Sequence, residues 1–119
     1  MAQTVPSAET LKQIKACCAA LEDKKAIDLV VLDVSGSSSI TDFFILATGN
    51  SEPHLRALRG SLEGVLKDLD IPVIGIDYHP QSGWLVVDAF DFMVHLFIAE
   101  VRESYHIEAL WRDAKQITL

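Results

Sequence analysis

Hydrophobic spacing divides the chain into stretches of two kinds. Leu11, Ile14, Cys18 and Leu21 recur three, four and three residues apart, and so form one apolar stripe of a first helix. Ser7 can cap that helix, Glu9 suits its first turn, and the cations Lys24 and Lys25 suit its end. Ile27 to Val34 is nearly continuous and β-branched, which predicts a strand buried on both faces. The segment 35–39 (SGSSS) is a turn, and Phe43 to Thr48 is a second buried strand. Ser51, Glu52 and Pro53 then open a second helix that runs to about Asp68. Its apolar face is Leu55, Leu58, Leu62, Val65, Leu66 and Leu69. Gly60 and Gly64 lie four apart on one side, and their low helix propensity predicts a close approach to the sheet.

The remainder is strand-rich. Ile71–Asp77, Gly83–Ala89 and Phe92–Phe97 read as three strands. The first two are joined by a hairpin connection over 78–83, the last two by a tight turn at Phe90-Asp91. A helical region from about Ala99 to Lys115 closes the chain. The order α-β-β-α-β-β-β-α departs from strict βαβ alternation. It predicts an α/β fold with a mixed sheet of about five strands and helices packed against it. Residues 1–6 read as a flexible tail and 7–119 as a single domain.

Composition narrows the function. No apolar run approaches the ~18 residues of a membrane helix, and the N-terminal segment has neither a basic nor an apolar signal region. A cytoplasmic protein with no membrane role is expected. Seventeen acids against ten bases leave a net charge of −7, which opposes a broad phosphate-binding footprint on nucleic acid. Adjacent Cys17 and Cys18 diverge by about 100° on a helix, so they read as small apolar filler and not as a metal clamp.

Candidate chemistry is sparse. Gly36-Ser37 followed by Asp42 could suggest nucleotidyl transfer, which needs two or three carboxylates on Mg²⁺. Phe44 stands where the second, alternating ligand belongs, so the segment reads as a turn feeding a strand. Asp88 and Asp91 bracket the tight turn, where acids ordinarily accept backbone N–H bonds. No metal site, cofactor or catalytic residue is assigned. His95 interrupts an apolar strand and faces away from Val94 and Leu96, as a structural or an interface residue. Arg102, Tyr105, Glu108 and Trp111 recur at three-residue intervals along one helix stripe. That stripe either docks the helix on the sheet through its aromatic groups or presents charged groups outward.

Four blocks, in order, carry a resemblance: DKKAIDLVVLDVSG (23–36), SSSITDFFILATG (37–49), GWLVVDAFDFMVHLF (83–97), and Glu100, Arg102, Tyr105, Glu108, Leu110 and Trp111. With these the chain resembles the Iojap-like family, whose bacterial members are ribosomal silencing factors. It departs from the family at 76–80, where a Glu-Gly is usual, and at Phe90, where the family has glycine. The resemblance implies a nucleotidyltransferase-like fold without its catalytic acids, and a protein that is not an enzyme. The implied partner is large-subunit ribosomal protein fourteen, at the face that meets the small subunit. Occupying that face would block subunit joining and repress translation in starvation or stationary phase. An adaptor in large-subunit biogenesis and, further off, a nucleotidyltransferase-type enzyme are the alternatives. Asp42, Trp84, Asp88, Asp91, His95, Arg102, Tyr105, Glu108 and Trp111 match family motif positions and become partner-binding candidates. The resemblance also raises a homodimer of the free protein, through a sheet face carrying Trp84 and His95.

Overall fold

A computed structural model describes residues 8–35, 41–78, 82–105 and 114–117. The expected tail over 1–6, the Ser7 cap and the Gly36-Ser37 turn lie outside the described residues, as do His79 and the stretch 106–113. The elements run α1 (Ala8–Asp23), β1 (Ile27–Asp33), β2 (Phe43–Gly49), α2 (Glu52–Asp68), β3 (Gly75–Tyr78), β4 (Trp84–Asp88), β5 (Phe92–Ile98), α3 (Ala99–Tyr105) and β6 (Lys115–Ile117).

The strands form one six-stranded sheet in the order β3-β4-β5-β2-β1-β6. β2 and β5 are parallel, and the other neighbours are antiparallel. The mixed sheet agrees with expectation, but it has a sixth strand. Lys115 belongs to β6, not to a helix, because Lys115–Ile117 pair with Val31–Asp33 of β1. Three residues carry too little local signal to announce a strand, and the partner supplies the backbone bonds.

α1 and α2 lie side by side on one face, where Ser61 Oγ donates to the Ala20 carbonyl at 3.1 Å. Their buried stripes, including Ile14, Leu21, Leu55, Leu58 and Leu62, meet Phe43, Ile45, Ala47, Phe92, Val94 and Leu96 of the central parallel pair. Both cysteines join this core. Burial pushes each thiol up to about 12, with smaller contributions from Cys18 on Cys17 and from Glu22 on Cys18. They are thiols, not thiolates, at neutral pH. The Ser51 hydroxyl accepts from the His54 N–H at 3.3 Å and caps α2 as its sequence requires.

Three local expectations are corrected. β1 is not buried on both faces, since Ile27 and Asp28 are exposed and the register shifts between Ile27 and Val30. A bulge there turns Asp28 to φ 50°. β3 begins at Gly75 instead of Ile71, because the Ile71 N–H bonds back to Leu66 at the end of α2 and Pro72 has no N–H to give. Gly60 and Gly64 do not approach the sheet, as a Cβ at either would meet open space. The glycine that the packing demands is Gly83, at φ 70°, where a Cβ would lie 2.7 Å from Ile98.

Candidate functional site

Alternation along the central strands sends every second side chain to the face away from α1 and α2. Leu32, Val34, Phe44, Leu46 and Phe97 are buried there, with Trp84, Met93 and Val101 partly covered. Among the described residues α3 covers this face near Phe97, and Trp84, Val86, Asp88 and Met93 toward its β4 side are half-buried.

His95 occupies the centre of this face, as its strand position requires. It pairs with Leu46 on β2 and Val86 on β4. Its ring meets Phe44 edge-on at 4.9 Å and lies nearly parallel to Phe97 at 6.0 Å. The Trp84 Nε1–H donates to His95 Nδ1 at 3.2 Å. Indole can only donate, so Nδ1 offers its lone pair and the neutral imidazole carries its proton on Nε2. Burial lowers the imidazole pKa to about 4, which keeps it uncharged at neutral pH.

Arg102 reaches from α3 into the end of the sheet and is only 6% exposed. Its Nη1 donates to the Thr48 hydroxyl and to the Asp28 carbonyl, both at 2.8 Å. Its guanidinium carbon stands 6.0 Å from the Phe97 ring centroid. The left-handed backbone at Asp28 belongs to the bulge that places this carbonyl. Arg102 therefore joins α3, β1 and β2, and its described polar contacts all run inward.

The acids gather at the opposite end of the central strands. Parallel pairing sets Phe43 beside Phe92, which brings Thr41-Asp42 next to the β4–β5 turn. The Thr41 hydroxyl donates to the Phe90 carbonyl at 3.1 Å, and the Asp42 N–H to the Asp91 carbonyl at 3.3 Å. Within the turn, Asp88 Oδ1 accepts from the Phe90 N–H at 2.9 Å, as a turn acid should. Phe90 sits at φ 71° with 62% of its surface exposed. That is the left-handed region, which glycine enters without a Cβ penalty and an aromatic residue does not. One end of the molecule thus presents Asp42, Asp88 and Asp91 around a projecting aromatic ring.

Of the nine candidates, Trp84 and His95 are in direct contact, and Asp42, Asp88 and Asp91 are brought together. Arg102 lies at the other end of the sheet. The side chain of Tyr105, together with Glu108 and Trp111, lies outside the described residues. Sequence reasoning missed Asp77, Val86 and Met93, which join Asp88 and His95 around an open groove of about 370 Å³. Alternation could have placed Val86 and Met93 on the face of His95, but the register of β3 was needed for Asp77. Among the described residues, no group of three His, Cys, Asp or Glu side chains is set to hold a metal ion. No helix among them is long and apolar enough to cross a membrane.

The family model described as "Ribosomal silencing factor during starvation" matches residues 7–119. A ribosomal silencing factor of Chromobacterium violaceum is 40% identical over 96 residues, 81% of this chain and 79% of that one. A mouse protein named for mitochondrial assembly of the ribosomal large subunit is 33% identical over 94 residues, 76% of this chain and 41% of that one. A crystal structure of a Chromobacterium violaceum protein superimposes with a TM-score of 0.81 at 37% identity, covering 86% of this chain and 85% of the other.

Proposed function

This chain belongs to the ribosomal silencing factor family, and from that premise we propose that it binds the large ribosomal subunit through ribosomal protein fourteen and blocks subunit joining. The observation that carries the reading is the acidic end of the sheet, where Asp42, Asp88 and Asp91 surround exposed Phe90. A ribosomal protein surface is basic, and a chain of net charge −7 meets it with the opposite sign. Half-buried Met93, Val86 and Trp84 run along one sheet face from that end toward Phe97 as an apolar floor. Contacts of this kind put an aromatic anchor inside a charged rim.

The mechanism is steric. A bound protein on the face of the large subunit that meets the small subunit excludes the small subunit by volume, with no bond made or broken. In this reading Asp88, Asp91, Asp42, Trp84 and Phe90 touch the partner, while His95 and Arg102 hold the scaffold that presents them. The scaffold itself is read as nucleotidyltransferase-like without catalytic acids: Asp42 is followed by Phe43 and Phe44, both buried, which leaves no alternating carboxylate beside it. The protein acts in the cytoplasm, as a single domain over 7–119, without cofactor or catalysis. A homodimer of the free protein would use the accessible Trp84 face and compete with the ribosome for it.

Cosedimentation with separated ribosomal subunits tests the proposal. The expected result is binding to the large subunit alone and fewer joined ribosomes on reassociation. Binding to neither subunit, across low and moderate salt, would overturn it. The mouse relative's name favours a second reading, an adaptor in large-subunit biogenesis. That reading expects immature large subunits to accumulate on depletion, whereas steric silencing expects mature subunits and excess translation during starvation.

A further inference from the structure

β3 is the outer strand of the sheet and has one strand neighbour, β4. Protein sheets ordinarily protect such an edge with charge, proline at the pairing positions or a covering element, since its open backbone recruits another strand. Here the edge is approached by Val73 and Ile74 and contains Ile76, all exposed, with Ile74 60% exposed. From Ile71 to Ile76 the chain carries no charged side chain. Among the described residues no strand pairs with its outer side.

Register gives the edge a chemical preference. Asp77 faces Val86, and Gly75 faces Asp88. Because side chains alternate, Asp77, Val86 and Asp88 share the face away from the helices, and Met93 and His95 continue that row on β5. These five residues, with Gly75 and Ile76, line the groove of about 370 Å³. Its floor is apolar, its sides carry two carboxylates, and Gly75 contributes no side chain to fill it. An alkyl stem ending in a cation matches that lining: methylenes on Val86 and Met93, charge near Asp77 and Asp88.

We infer that the β3 edge takes an extended basic segment of a partner protein as a seventh strand, with a Lys or Arg side chain lying in the groove between Asp77 and Asp88. Main-chain bonds would supply the attachment and the groove the selectivity, as in strand addition elsewhere. A second copy of this chain fits less well, since it brings the same carboxylates and the same net charge of −7 to the junction. Nucleic acid is repelled by the same two carboxylates. The inference rests on the reading that the partner is a basic protein, and it extends the contact surface from the acidic turn to the sheet edge.

Titrating the 119-residue chain with a soluble Lys–Val alternating peptide, followed by amide NMR, tests the edge directly. Expected are shifts at residues 73–77 and along the groove, lost when alternate peptide nitrogens are methylated. D77K and the exposed-site variant I74K should each weaken binding by about tenfold, while a Glu–Val peptide should not bind. Shifts that avoid β3, or that survive both variants, would overturn the inference. So would β3 shifts that follow protein concentration without peptide, which would assign the edge to a second copy. Cosedimentation of the same variants separates the two readings. If the parent protein binds the large subunit and both variants bind equally well, the edge assignment fails alone. If the parent does not bind, the proposed function fails, and the titration still decides the edge.

Discussion

Trp84 on β4 donates its indole N–H to the Nδ1 of His95 on β5, 3.2 Å away, on the sheet face that α1 and α2 leave uncovered. The bond needs an imidazole lone pair, so protonating Nδ1 would break it while placing a charge between Phe44 and Phe97.

Acid should therefore destabilise the fold through His95. Its pKa is about 4 when folded against an ordinary 6.5, so the unfolded chain binds the proton first as pH falls. Stability from this group is complete above about pH 6.5 and is lost progressively down to about pH 4, to a total of about 3 kcal/mol. Urea unfolding midpoints across that window measure the slope. H95Q, which can still accept from Trp84, should flatten it; an unchanged slope would assign the acid sensitivity to other groups.

Arg102 should matter for stability before it matters for binding. R102A removes the donor shared by the Thr48 hydroxyl and the Asp28 carbonyl. A loss of about 2–3 kcal/mol is expected, read as a lower denaturation midpoint at constant slope.

The exposed helix glycines predict a gain. A Cβ at Gly60 or Gly64 meets nothing within 4 Å. G60A and G64A should each stabilise the protein by about 0.8–1 kcal/mol through helix propensity and unfolded-state entropy. Thermal denaturation checks this. A destabilised alanine variant would mean that another segment packs against this helix face at the glycine.

Phe90 sets stability against recognition. Its left-handed backbone costs an aromatic residue about 1–2 kcal/mol, which glycine avoids at the expense of about 0.5–1 kcal/mol of chain entropy. F90G should leave stability level or raise it by up to about 1 kcal/mol. The same change should weaken large-subunit binding, because it deletes the exposed ring at the centre of the acidic end. Parallel melting and cosedimentation measurements separate the two effects.

Reversing Asp91 should slow association with the large subunit. The D91K variant places a cation where a basic partner approaches, and the loss should shrink as salt is raised. Association rates at two ionic strengths test this. A rate insensitive to both the substitution and salt would remove the acidic turn from the contact.

Much of the architecture was legible in the sequence because it depends on neighbours in the chain. Ser51, Glu52 and Pro53 start α2 through local hydrogen bonding and backbone preference, and the leucine spacing decides which side it buries. Phe43 to Thr48 reads as a buried strand because its residues are apolar or small, and every one of them is buried. Strand alternation alone put His95 opposite Val94 and Leu96. Tertiary structure decided what depends on pairing between distant segments. β6 exists because β1 offers an edge to residues more than eighty positions away. Arg102 is buried because Thr48 and a bulged Asp28 carbonyl receive it, and no spacing within its own helix announces those partners. Asp42 meets the Asp88–Asp91 turn only because β2 and β5 run parallel in the register that sets Phe43 beside Phe92. Local propensity and periodicity act over a few residues. Sheet order and register come from the packing of the whole chain, and they gather the three acids at one end of the sheet and set Trp84 beside His95 on its face.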